Sequence, residues 1–179
     1  MIIKKLIGEE NCRKTAKLYC EIWKEPPWNE DFWKPKKVIR DLQEQMAKQN
    51  AIFLIATNET TEIIGFTWGY EINIAELSQI SGVSVNVWKK EIRKKGLFYI
   101  DEFGVKGIYR GMGIGQRLVK ELLKQISCFD INCIILRTDA LAIPARTVYS
   151  KVGFKESVIH DAEHQDRTYW LKEIKTNGE

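Results

Sequence analysis

A chain of 179 residues, 44% hydrophobic and 29% charged, is sized for one domain with a real core, which excludes a disordered or low-complexity protein. Its formal charge of +4 is spread along the chain, without the basic, aromatic-interleaved stripe that nucleic-acid binding requires. The longest aliphatic or aromatic run, Ala51 to Ala56, is too short to cross a bilayer, and the start of the chain has too short an apolar run for a secretion signal, so a cytoplasmic protein is expected.

Ile2 to Leu6 reads as a first strand. Glu10 to Trp23 reads as a helix, because Cys12, Ala16, Tyr19, Cys20 and Trp23 recur at helical spacing. Pro26-Pro27 stops it. A second helix starts near Pro35 and carries Ile39, Leu42 and Met46 on one side. Ala51 to Thr57 and Ile63 to Ile72 form a hairpin about the turn Asn58-Glu59-Thr60-Thr61. Residues 73–96 are an insertion between strands, where Val87, Trp88 and Ile92 suggest a short helix ended by Gly96.

Leu97 to Val105 is a strand, followed by a glycine-rich turn and a helix reaching about Cys128. Ile131 to Thr138 is a buried strand, and Pro144 to Lys151 a short helix closed by Gly153. Ser157 to His160 and Thr168 to Leu171 complete an α/β sheet with helices on its faces. Cys12 and Cys20 lie about 12 Å apart along one helix, beyond the reach of a disulfide, which needs Cα atoms within about 7 Å. Reduced thiols are expected, and no metal-ligand pattern accompanies them.

The turn Arg110-Gly111-Met112-Gly113 poses a physical problem. Each glycine in a helical position costs roughly 1 kcal/mol relative to alanine. The first amides of a helix lack partners, and no Ser, Thr, Asp or Asn is present to cap them. Unpaired donors at the positive end of a helix dipole describe an anion site. The alternative is a glycine turn that only packs the helix closely on the sheet. Neither the dinucleotide fingerprint G-x-G-x-x-G nor the P-loop matches here.

The run IDEFGVKGIYRGMGIGQRLVKELL resembles motif A of the GNAT superfamily of N-acetyltransferases, whose signature is Q/R-x-x-G-x-G/A. About thirty residues on, ARTVYSKVGFKE resembles the superfamily's motif B. The order of elements is similar throughout. The resemblance implies a single domain over 1–179, with a mixed, mostly antiparallel sheet, splayed central strands and helices on both faces. It implies acetyl-coenzyme A as cofactor, with the backbone of Phe103, Gly104 and Val105 pairing with the pantetheine arm. Amides from Arg110, Gly111, Met112, Gly113, Ile114, Gly115 and Gln116 would hold the pyrophosphate, and Lys151, Arg117 or Lys120 a further phosphate. Two departures are visible. Gly107 stands where many members carry proline, and Ala142 where many carry a pantetheine-contacting asparagine.

By the same resemblance, acetyl would pass to a primary amine by direct attack in a ternary complex. Such an amine is protonated at neutral pH, with a pKa near about 10.4. The departing thiolate needs a proton, and Tyr149, in the position of the motif B tyrosine, would give it. Asp101 or Glu102 would be the base, unless water is. On a regular strand the two face opposite ways, so only one would meet the acceptor unless a bulge intervenes.

In WKEPPWNEDFW, Trp28 and Glu30 are candidates to bind a cationic acceptor by cation–π contact and charge. A small cationic amine, of the aminoglycoside or polyamine kind, is the leading acceptor. A protein lysine or N-terminus is the alternative, which an open groove lined by residues 23–33 and 160–167 would favour and a closed pocket would oppose. A non-catalytic acyl-CoA-binding module is the reading from outside the enzyme class. No nucleic-acid or membrane partner is expected, and a homodimer is left open.

Overall fold

The computed structural model describes residues 1–92 and 96–174. Strands β1 (Ile2–Lys5), β2 (Ile52–Thr57), β3 (Ile63–Ile72), β4 (Leu97–Val105), β5 (Cys133–Asp139), β6 (Lys155–His160) and β7 (Arg167–Glu173) form one sheet, in the order β1-β2-β3-β4-β5-β7-β6. Every pairing is antiparallel except β4 with β5.

Helices cover both faces, and strand alternation dictates how. Along β2, Ile52, Leu54 and Ala56 join the cluster beneath α5 (Ile114–Ile126) and α6 (Ile143–Lys151). Phe53 and Ile55 join the opposite cluster, under α1 (Glu9–Trp23) and α2 (Pro35–Met46). A strand buried on both faces reads as a continuous apolar run, and all six residues of β2 are buried. Helix α5 presents Ile114, Leu118, Leu122 and Ile126, one per turn, to the sheet.

The insertion at 73–96 is richer than its periodicity suggests. It holds two helices, α3 (Ile74–Ser81) and α4 (Val85–Glu91). Helix α3 begins with a capping box: the Asn73 side chain accepts from the amides of Ala75 and Glu76, and Glu76 accepts from the Asn73 amide. That Asn-x-x-Glu signal was available in the sequence. Trp88 is fully buried against Tyr169 and donates to Ser81 Oγ (2.9 Å). The expected helix end at Gly96 crosses residues 93–95, which lie outside the described residues.

The position of the site is decided between β4 and β5. They pair only from Leu97 with Cys133 to Ile100 with Leu136. Beyond that point β4 follows β3 and β5 follows β7, and a wedge opens between them. A bulge lies at the same place. Ile100 faces Gly69 and Glu102 faces Trp68, so Asp101 is an extra residue in β4. A bulge bends its strand and adds local twist, which turns β4 away from β5.

Candidate active site

A cleft of about 760 Å³ runs through the wedge, within the usual size of a small-molecule site. One end is the glycine turn. Gly113 caps α5 in the left-handed region (φ 75°) and gives its amides no side-chain partner. A Cβ on Gly111 or Gly113 would meet nothing within 4 Å, so the space before the helix end is open. Gly115 is different. A Cβ there would come within 2.7 Å of the Phe103 ring. The two explanations for the glycines therefore divide by position: open backbone at Gly111 and Gly113, close packing at Gly115.

Phe103, Gly104, Val105, Arg110, Gly111, Gly113, Ile114, Gly115, Gln116 and Lys151 line the cleft, as do Ala142 and Thr138. Met112 does not line it and is 68% exposed. Arg117 and Lys120 are also outside it. The Arg110 side chain turns back instead of forward. Its Nε donates to the Val105 carbonyl (3.0 Å) and its Nη2 pairs with Glu25 Oε2 (2.6 Å), tying the turn to the end of α1.

At the middle of the cleft the bulge has a direct chemical result. Asp101 and Glu102 both line the wall, although they are adjacent on a strand. Each is held by a tyrosine from a different element. Tyr70 Oη, on β3, donates to Asp101 Oδ2 (2.9 Å), and Tyr19 Oη, on α1, donates to Glu102 Oε1 (2.9 Å).

Burial raises the Asp101 carboxyl above the ordinary range, against the Tyr70 hydrogen bond and the charges of Lys48 and Arg137. Burial and the Asp101 charge raise Glu102 well above its ordinary value, against Tyr19 and Arg137. Both side chains face an open cleft and are only half-buried, so water moderates the rise. Tyr149 lies close enough to feel the Glu102 charge. Burial first, then that charge, pushes its phenol above the ordinary value, so it stays protonated at neutral pH. Its ring packs on Phe103, Phe154 and Trp170, and its hydroxyl has no protein partner among the described residues.

The far end is aromatic. Tyr19 stacks on Trp23 (4.1 Å between ring centroids), Trp23 on Trp28 (5.9 Å), and Trp33 meets Tyr19 edge-on (5.3 Å). Trp28 and Glu30 both line the cleft. Glu30 is already engaged at both oxygens: Arg167 Nη2 pairs with Oε1 (3.1 Å) and Trp33 Nε1 donates to Oε2 (2.6 Å). The Arg167 link joins the α1–α2 connection to the start of β7 and closes one side of the mouth. Arg137, on the β5 wall, is held by buried Asp161 (2.6 Å).

Tyr19, Arg137 and Arg167 were missed by sequence reasoning. Tyr19 had a signal only as a core residue of α1, and its partner lies 83 positions away. Such a pairing has no local signature.

The sequence profile of the Acetyltransferase (GNAT) family matches residues 15–154. No curated protein matches the sequence at a significant level. Solved structures share the architecture at low identity. An aminoglycoside 6'-acetyltransferase type Ii is 20% identical, with a TM-score of 0.67 and 98% of each chain covered. A ribosomal-protein-alanine N-acetyltransferase from Brucella melitensis is 16% identical, with a TM-score of 0.71 over 97% of this chain and all of the other. A phosphinothricin acetyltransferase from Sinorhizobium meliloti, in complex with AcCoA, is 13% identical, with a TM-score of 0.73 over 99% of this chain and 90% of that one. The splayed α/β sheet and a family match spanning most of its length agree: this chain belongs to the GNAT family and is an acetyltransferase.

Proposed function

We propose that this enzyme, a single domain, moves acetyl from acetyl-coenzyme A to the primary amine of a small cationic acceptor. One observation carries the reading: the β4 bulge sets Asp101 and Glu102 on the wall of a cleft that Tyr149 shares and that ends at the uncapped start of α5.

The residues fit such a cofactor. Backbone amides at Gly113 to Gln116, with a favourable helix dipole and open space at Gly111 and Gly113, suit a diphosphate. Phe103, Gly104 and Val105 lie beyond the last β4–β5 pair, so apart from the Val105 carbonyl, which accepts from Arg110, their edge toward β5 can pair with an extended pantetheine arm. Lys151 lines the same cleft and can meet a phosphate. Bound acetyl-coenzyme A supplies a thioester whose C–S bond breaks as the amine nitrogen forms its C–N bond.

The chain's own groups do the rest. Asp101 and Glu102 attract the acceptor's ammonium ion, and the carboxylate nearer the nitrogen takes its proton. An acid whose pKa is raised by burial is a better base than a solvated one. Tyr149 holds a proton at Oη for the departing sulfur. Trp28 walls the acceptor end, while Glu30 acts through Arg167 and Trp33 to hold that wall in place.

The Glu30–Arg167 link favours a small acceptor over a protein. An open groove lined by the 23–33 and 160–167 segments would favour a protein lysine or N-terminus, and this ion pair bridges the two segments. Against a mere binding module stands Tyr149 beside two acids. Thermal shift with acetyl-coenzyme A, followed by thiol release on a panel of amines, tests the reading. Stabilisation together with release is expected. Stabilisation with no release from any amine overturns transfer in favour of binding alone.

A further inference from the structure

Charge accounting at the acceptor end narrows the acceptor further, an argument that rests on the acetyl-transfer reading above. Among the described residues, the carboxylates lining the cleft are Asp101, Glu102 and Glu30. Glu30 is neutralised by Arg167 and hydrogen-bonded by Trp33. Asp101 and Glu102 are neighbours at the point of reaction and serve the one nitrogen that reacts. A second ammonium group further out has no unengaged carboxylate to meet.

The tryptophans do not make up for this. Lys37 Nζ already stands over the Trp33 ring (4.2 Å) and near the Phe32 ring (5.9 Å). Arg167 lies over Trp28 (5.8 Å), whose ring is also stacked on Trp23. The protein's own cations occupy these aromatic surfaces, and Arg137 on the wall is already paired with Asp161. A polycation would pass Lys37 into a mouth whose rings are engaged and whose Glu30 is already paired. Like charges brought together in a partly desolvated site are strongly unfavourable. What Trp28, Phe32 and Trp33 still offer is apolar contact on the parts left exposed, since none of the three is buried.

We infer that the acceptor is a monoamine: one ammonium group for Asp101 and Glu102, carried on a flat apolar or aromatic body that packs between Trp28, Phe32 and Trp33. Aminoglycosides and polyamines, the acceptors expected from the sequence, are then poor substrates.

Matched amines test this on the intact enzyme with acetyl-coenzyme A. Hexylamine and 1,6-diaminohexane differ by one ammonium group, and 2-phenylethylamine replaces the alkyl chain of hexylamine with a ring. The expected kcat/KM order is 2-phenylethylamine, then hexylamine, then 1,6-diaminohexane, with about tenfold or more between the last two. Spermidine and kanamycin should rank with the diamine. Lys37→Glu, an exposed change on α2, should narrow the gap between hexylamine and the diamine. Trp28→Ala should reduce the preference for the ring by about fivefold or more.

Turnover of the diamine, spermidine or kanamycin as fast as the monoamines overturns this inference and leaves acetyl transfer standing. So does a monoamine preference untouched by Lys37→Glu. Failure of every amine, with acetyl-coenzyme A still bound, overturns the transfer reading itself.

Discussion

The two ends of the cleft are built by opposite means. At the α5 end the site is made by leaving side chains out: Gly111 and Gly113 expose main-chain donors, and no residue caps the helix. At the β4 end it is made by convergence, where Tyr19, Tyr70, Asp101, Glu102 and Tyr149 come from α1, β3, β4 and α6. A backbone site tolerates many changes around it but few at its glycines. A convergent site depends on distant packing, and each partner it loses changes the charge state of the others.

The largest contrast should come from Tyr149→Phe. Loss of a positioned proton donor slows the chemical step by about a hundredfold or more. Affinity for acetyl-coenzyme A should hardly change, because the phenol serves the departing sulfur and takes no part in the proposed backbone contacts to the diphosphate. Calorimetry beside steady-state kinetics separates the two, and unaltered turnover would remove Tyr149 from the role of acid.

Next in size is the support behind Arg137 on the cleft wall. Asp161 is 2% exposed and accepts from Arg137, Tyr169 and the amides of Glu163 and His164. Burial alone would raise its carboxyl, but Arg137, the His164 amide and Tyr169 together hold it below the ordinary range. A depressed folded-state pKa gives stability that is present above the unfolded value and lost as pH falls through the folded one. Asp161→Asn should cost about 3 kcal/mol at neutral pH by leaving Arg137 unpaired. That corresponds to a fall in Tm of roughly 6–12 °C. The deficit should shrink in acid, as a series of melts from neutral to low pH would reveal.

The glycines sharpen the contrast within one turn. Gly113→Ala places a side chain at φ 75°, a strain of about 1–2 kcal/mol, and raises KM for acetyl-coenzyme A. Gly115→Ala has no such backbone problem, since it is helical, but its methyl meets the Phe103 ring. It should lower stability by about 1–3 kcal/mol through overpacking. If Gly115→Ala proves as stable as the parent, the division between open and packed glycines is wrong.

The smallest effect expected is a shift in pH dependence. Tyr19 favours the ionised form of Glu102, while burial and Asp101 oppose it; Arg137 also favours it, and Glu30 opposes it. Tyr19→Phe should therefore move the acid limb of kcat/KM upward, by about one pH unit or less, with activity lost chiefly on the acid side. A limb that moves downward or stays fixed would show that Glu102 is not the titrating group.

How legible was this protein? Helices α1, α2 and α5 and the β2–β3 hairpin followed from apolar period, Pro35 and the 58–61 turn, all of them local signals. Helix α3 was equally local, through its Asn73–Glu76 capping box, and went unread. The glycine turn was legible because a missing cap is itself a sequence feature. Glu30 shows the limit. Its charge was visible in the chain, but its engagement by Arg167, 137 positions away, was not.

Sequence alone determined the order of elements, the bare start of α5 and the presence of Asp101, Glu102 and Tyr149 on neighbouring pieces of the fold. These rest on periodicity, backbone freedom and capping chemistry, which act over a few residues. Tertiary structure decided that both acids share one wall, that tyrosines from α1 and β3 hold them, and that an ion pair bridges the mouth. Strand register fixes where a bulge falls, and register is set by packing across the whole sheet, beyond the range of any local pattern.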